Sequence, residues 1–134
     1  MKVRNIALFI VAAALALPVL AAPMKPGKWQ ITAQMSMAGM DMKMPANTFE
    51  RCITPEEAEK PQPPKQRNDD CKVEDYKLDG NTLTYKINCA KTGATGEGKI
   101  TFNNDSYEGG LHLTTQGRDV TVTYTAKRLG DCDK

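Results

Sequence analysis

Apolar residues recur at every second position through most of this chain, and that period admits little besides a half-buried β-sheet. Trp29, Ile31, Ala33, Met35 and Met37 alternate with Lys28, Gln30, Thr32, Gln34 and Ser36. Val73, Tyr76 and Leu78 lead to Asp79-Gly80-Asn81, after which Leu83, Tyr85, Ile87 and Cys89 resume on one face. Ile100 and Phe102 run into Asn103-Asn104-Asp105, and Tyr107, Leu111 and Leu113 into Gln116-Gly117. Val120, Val122, Tyr124 and Ala126 complete the series. Three consecutive hairpin signals make an antiparallel meander. Gly109-Gly110 within a strand predicts a bulge or a barrel corner. The expected fold is all-β: six to seven antiparallel strands curled into a small barrel or strongly curved sheet, which hides its single apolar face.

One short helix interrupts the strands after the first hairpin. Thr54-Pro55-Glu56-Glu57 supplies a cap, a proline at the first helical position and the glutamate of a capping box. Pro61 ends it, and residues 61–67, opening Pro61-Gln62-Pro63-Pro64, read as an extended, solvated connector.

The first 21 residues read as a cleaved secretory signal. Lys2 and Arg4 precede the apolar run Ile6 to Leu17, and Val19 and Ala21 occupy the −3 and −1 positions of a cleavage site. The run is too short for the ~30 Å of a bilayer core, so no membrane span is expected after cleavage. Residues 22–134 then form a single small β domain in the periplasm. Its 16 Lys and Arg balance 16 Asp and Glu. With no net positive charge and no basic run, nucleic acid is not an expected partner.

Leu, Ile, Val and Phe number only 14 in these 113 residues, too few for a generous core. Four cysteines in an exported chain point instead to two disulfides, each contributing roughly 3–4.5 kcal/mol on the loop-entropy account. Cys71 and Cys89 flank the Gly80-Asn81 turn. With Leu78 opposite Leu83, one bulge at Glu74-Asp75 puts Val73 against Ile87 and Cys71 against Cys89, within bonding reach. The remaining pair is Cys52–Cys132, although the sequence alone permits three connectivities. The cysteine spacings contain no C-x-x-C, which argues against zinc.

The segments Pro26-Gly27-Lys28-Trp29-Gln30-Ile31-Thr32, Cys52-Ile53-Thr54-Pro55-Glu56-Glu57-Ala58 and Arg128-Leu129-Gly130-Asp131-Cys132 bracket a Met-rich run from Met35 to Pro45. Together they resemble the small exported bacterial family known as domain of unknown function 3617. The resemblance implies export and a single domain. It transfers no catalytic or binding residue.

No catalytic motif is present, and an enzyme is not expected. The lone His112 falls on the polar face, and Glu56/Glu57, Asp69/Asp70 and Glu74/Asp75 read as solvated charges or caps. The methionines are the unusual feature. A two-residue turn at Ala38-Gly39 would set Met37 against Met40, Met35 against Met42 and Ala33 against Met44, with every sulfur on the Trp29 face. Thioethers suit Cu(I), so Met35, Met37, Met40 and Met42 form a candidate soft-metal site. The competing reading is that these flexible side chains fill the core. The expected function is a binding module with a Met- and Trp-lined face for a small apolar ligand or Cu(I). The alternative is a structural or interaction domain of the cell envelope, with another envelope protein as partner and the methionines serving only as core.

Overall fold

The computed structural model describes residues 22–40, 44–63 and 70–133. The strands are β1 (Gly27–Met37), β2 (Asn47–Ile53), β3 (Cys71–Asp79), β4 (Thr82–Cys89), β5 (Ala94–Asn103), β6 (Ser106–Thr115) and β7 (Arg118–Gly130). One helix, α1 (Pro55–Glu59), lies between β2 and β3. All seven strands join a single antiparallel sheet in the order β2-β1-β7-β6-β5-β4-β3. Among the described residues no helix is long and apolar enough to cross a membrane. The proposed signal segment 1–21 lies outside the described residues.

The tight turns follow from their residues. Asp79 pairs with Thr82, Asn103 with Ser106 and Thr115 with Arg118. Each hairpin therefore turns through two residues, with positive φ at Gly80 (60°), Asn104 (51°), Gln116 (48°) and Gly117 (73°). Such φ values match the turn to the twist of the flanking strands. The β3–β4 ladder breaks between Glu74 and Lys77, where Asp75 (φ 50°) and Tyr76 together oppose Tyr85. Beyond this bulge Val73 pairs with Ile87 and Cys71 with Cys89. Cys71 and Cys89 are bonded, with Cα atoms 4.0 Å apart. Cys52 is bonded to Cys132 across a sequence separation of 80.

Alternation carries the core through the whole sheet. Trp29, Leu83 and Leu111 are fully buried, joined by Ile31, Tyr85, Ile87, Ile100, Phe102, Val122, Tyr124 and Ala126. The opposite face carries Thr, Lys, Glu and Asn side chains. Gly109 and Gly110 make no bulge, because the registers with β5 and β7 run through them unbroken. Gly109 instead permits close strand approach: a Cβ there would stand 2.4 Å from the Lys99 carbonyl oxygen. Likewise a Cβ at Gly98 would stand 2.2 Å from the Tyr85 ring, which lies across that strand.

The sheet does not close into a barrel. Its edge strands, β2 and β3, are not hydrogen-bonded to each other. Residues 54–63, which follow β2, occupy the gap instead. Ala58 of α1 is buried in the common core, and the Tyr76 hydroxyl of β3 donates to the Pro61 carbonyl at 2.6 Å. Pro61 and Pro63 are buried, so this part of the 61–67 connector is packed rather than solvated. A proline ring is apolar, and here it has a surface to cover. Residues 64–67 lie outside the described residues.

The first hairpin also departs from its expected register. Met40 N–H donates to the Met37 carbonyl at 3.4 Å, closing a turn at Ala38-Gly39, but the returning chain first pairs at Asn47. Ala33 opposes Asn47, not Met44. The expected pairing would have turned Phe49 and Ile53 outward. The observed one sets Phe49 opposite Ile31 and Ile53 opposite Gly27, on the core face. An odd shift exchanges the two faces of a strand, and burial of Ile53 favours this exchange.

Candidate functional site

A cavity of about 420 Å³ opens on the inner face where β2, α1 and the Pro61 segment overhang the sheet. That volume falls within the roughly 300–1,000 Å³ of small-molecule sites. Its walls are mainly apolar: Ile31 from β1, Phe49 and Ile53 from β2, Ile100 and Phe102 from β5, and Met24 beside them. Tyr107 of β6 completes the aromatic side. Its ring stacks on Trp29 (centroids 5.7 Å, 29° between planes) and meets the edge of Phe102 (5.6 Å, 63°). Trp29 in turn is anchored by its indole N–H, which donates to the Lys25 carbonyl at 3.0 Å. One wall of the cavity is therefore held from behind by fully buried structure.

Besides Gln62, three polar groups converge on this apolar hollow. Arg51 sits opposite Trp29 and so belongs to the inner face. Its Nη2 donates to Oε1 of Glu57 in a close ion pair. Glu57 stands at the third position of α1, and its second oxygen accepts the Thr54 N–H at 3.0 Å. The Thr54 hydroxyl accepts the Glu57 N–H at 3.2 Å, which completes the expected capping box. One carboxylate thus caps the helix and aims the guanidinium. The Tyr107 hydroxyl is the third group. Burial pushes its pKa up to about 12, against the opposing pull of the Arg51 charge and with a smaller upward push from Tyr124. It is therefore a neutral phenol at ordinary pH.

The Tyr85 hydroxyl is buried with no hydrogen-bond partner among the described residues. Burial raises its pKa, with smaller contributions from Tyr124 and Tyr107. A larger, more open hollow of about 710 Å³ lies on the polar face, among Lys77, Lys86, Glu97, Lys99 and His112. Its charges partner one another, with Lys86 3.4 Å from Asp75 and 4.0 Å from Glu97. Tyr85 and Leu111 also line it, and it differs from the cavity beneath α1 in being ringed by charged side chains and wider open to solvent.

The hairpin register does not set Ala33 against Met44, and of the four expected sulfur ligands Met35, Met37 and Met40 are described. Met35 and Met37 share the inner face of β1, opposite Val122 and Val120 of β7. Met35 is 43% exposed, Met40 53% and Met44 46%, so these three do not fill the core either. The buried methionine is Met24, at 4%. Met42 lies outside the described residues. Trp29 is sealed in the core rather than lining an accessible face. His112 is exposed on the polar face, with Nδ1 3.4 Å from the Thr121 hydroxyl and Nε2 3.7 Å from Asp119.

Arg51, Phe49 and Tyr107 were not singled out from the sequence. The signal was nevertheless present: Phe49-x-Arg51-x-Ile53 carries an arginine in phase with two apolar neighbours. An inward arginine on a half-buried strand needs a partner, and the capping-box glutamate six residues on supplies it.

Fold and site define an all-β domain built on one open, disulfide-linked sheet with a cavity beneath its short helix. The chain belongs to the family described as "Protein of unknown function (DUF3617)", which matches residues 24–132. No curated protein and no solved structure matches the chain.

Proposed function

We propose that this chain is an exported periplasmic binding module, without enzymatic activity, that takes a small apolar ligand in the cavity beneath α1. The observation that carries this reading is the cavity itself: concave, walled by Ile31, Phe49, Ile53, Ile100 and Phe102, with a few polar groups at one side. That combination is what small-molecule sites generally present. Two disulfides suit an oxidising compartment. The test is titration of the oxidised domain with the neutral fluorophore N-phenyl-1-naphthylamine. Saturable one-to-one binding that Phe49→Asp abolishes supports the reading. Absence of saturable binding, or binding indifferent to Phe49→Asp, refutes it.

A second reading, capture of Cu(I) by Met35, Met37, Met40 and Met42, has one observation in its favour. Met35 and Met40 are accessible rather than packed away. Native mass spectrometry with Ag(I) decides it. A one-metal adduct lost in Met35→Leu/Met37→Leu supports metal capture, and an unchanged mass removes it.

A further inference from the structure

We propose that the cavity selects a single-chain aliphatic carboxylate, whose head group is received by the guanidinium of Arg51 and the hydroxyl of Tyr107. This deepens the apolar-ligand reading and rests on it. Arg51 is placed on the inner face by its pairing with Trp29, and its side chain remains 45% exposed at the cavity wall. A guanidinium offers five N–H donors in a planar fork. One of them goes to Glu57, and among the described residues no other hydrogen bond from Arg51 is formed. Tyr107, on the facing wall, adds a neutral O–H.

Beside the Glu57 carboxylate and the Gln62 amide, the remaining Arg51 N–H groups and the Tyr107 hydroxyl offer donors, which a ligand bringing acceptors would use. A carboxylate is acceptor-only, planar and matched to the fork. Glu57 already places one carboxylate oxygen on the same guanidinium, its other oxygen being held by the Thr54 N–H. Its negative charge also sets a limit: with Arg51 half-neutralised, a singly charged head fits and a doubly charged one is repelled. The volume of about 420 Å³ lies near the lower end of the small-molecule range, which suits one aliphatic chain rather than the two tails of a phospholipid. The tail would lie along Ile31, Ile53, Ile100 and Phe102.

The test compares dodecanoate, methyl dodecanoate and dodecyltrimethylammonium, all below micellar concentration, by calorimetric titration of the oxidised domain. Dodecanoate should bind at least tenfold more tightly than the other two, because a charge-assisted hydrogen bond outweighs a neutral one. Arg51→Gln should lower dodecanoate affinity about tenfold and leave the methyl ester within twofold. Because Arg51→Gln also removes the ion pair to α1, Glu57→Gln is the second variant. It keeps an oxygen for the Thr54 N–H and releases Arg51, so it should tighten dodecanoate several-fold. Equal affinity for dodecanoate and its methyl ester, or no tightening in Glu57→Gln, overturns the head-group assignment while leaving the apolar cavity standing. Failure of all three probes to bind overturns the cavity reading as well.

Discussion

The two ends of β1 lie on the same inner face of the same sheet, yet they live in different surroundings. From Lys28 to Ala33 the strand is paired on both sides, with β2 and with β7. From Gln34 to Met37 it is paired, among the described residues, with β7 alone. Trp29 is 0% exposed and Met35 43%, although both belong to the same alternating series. Alternation decides which face a side chain takes. Lateral and overhead cover decide whether that face is dry. At the first end β2, α1 and Pro61 provide the cover and enclose a cavity. At the second end the apolar face meets solvent through Met35 and its neighbours.

The sharpest way to break this contrast is to release the covered end. Cys52→Ser/Cys132→Ser frees β2 from the end of β7, and an 80-residue separation corresponds to about 4.5 kcal/mol on the loop-entropy account. Urea denaturation should show a loss of that order, and the cavity should lose ligand affinity with it. The next largest contrast comes from matched truncations. Ile31→Ala should cost about 2–4 kcal/mol, as buried aliphatic truncations do, and Met35→Ala less than about 1 kcal/mol. Similar costs at the two sites would show that both ends are equally packed.

Raised pH should weaken the fold through its buried tyrosines. The Tyr107 pKa is about 12 in the folded chain against 10.0 for an unperturbed phenol, chiefly through burial. Its contribution to stability is complete below pH 10 and declines as pH rises through 12, because the unfolded chain ionises first. The Tyr85 shift acts in the same direction. Denaturation midpoints measured from pH 8 to 12 should fall only above about pH 10. The smallest effect concerns oxidation. Mild peroxide should convert Met35, Met40 and Met44 to sulfoxides before Met24, read by peptide mass spectrometry, with a stability change below about 0.5 kcal/mol.

The turns and the β3 bulge were legible because their causes are local. Gly80-Asn81, Asn104-Asp105 and Gln116-Gly117 supply residues suited to positive φ, and the phase slip between Val73 and Tyr76 demands an extra residue. The first hairpin was harder. Ala38-Gly39 does make a turn, but nothing local says how far the chain travels before it pairs again. The phase of Phe49 and Ile53 settles that point, and it outweighs the methionines, which pack on either face. Closure of the sheet was not legible either, because a period of two is silent on whether β2 and β3 meet. The packed Pro61 and Pro63 show why composition misleads: prolines read as solvated linker unless a gap needs filling. The cavity follows from these two features, so its polar residues stayed hidden until the register was known.

The central claim is that the covered end of the inner face, and not the Met-rich end, receives the ligand. Methyl NMR of the oxidised domain, labelled at Ile and Met and titrated with dodecanoate, tests it directly. The account predicts saturable shift changes at Ile31, Ile53, Ile100 and Met24, with Met35 and Met37 left in place. Changes centred on Met35 and Met37, or none at the four cavity methyls, would contradict it.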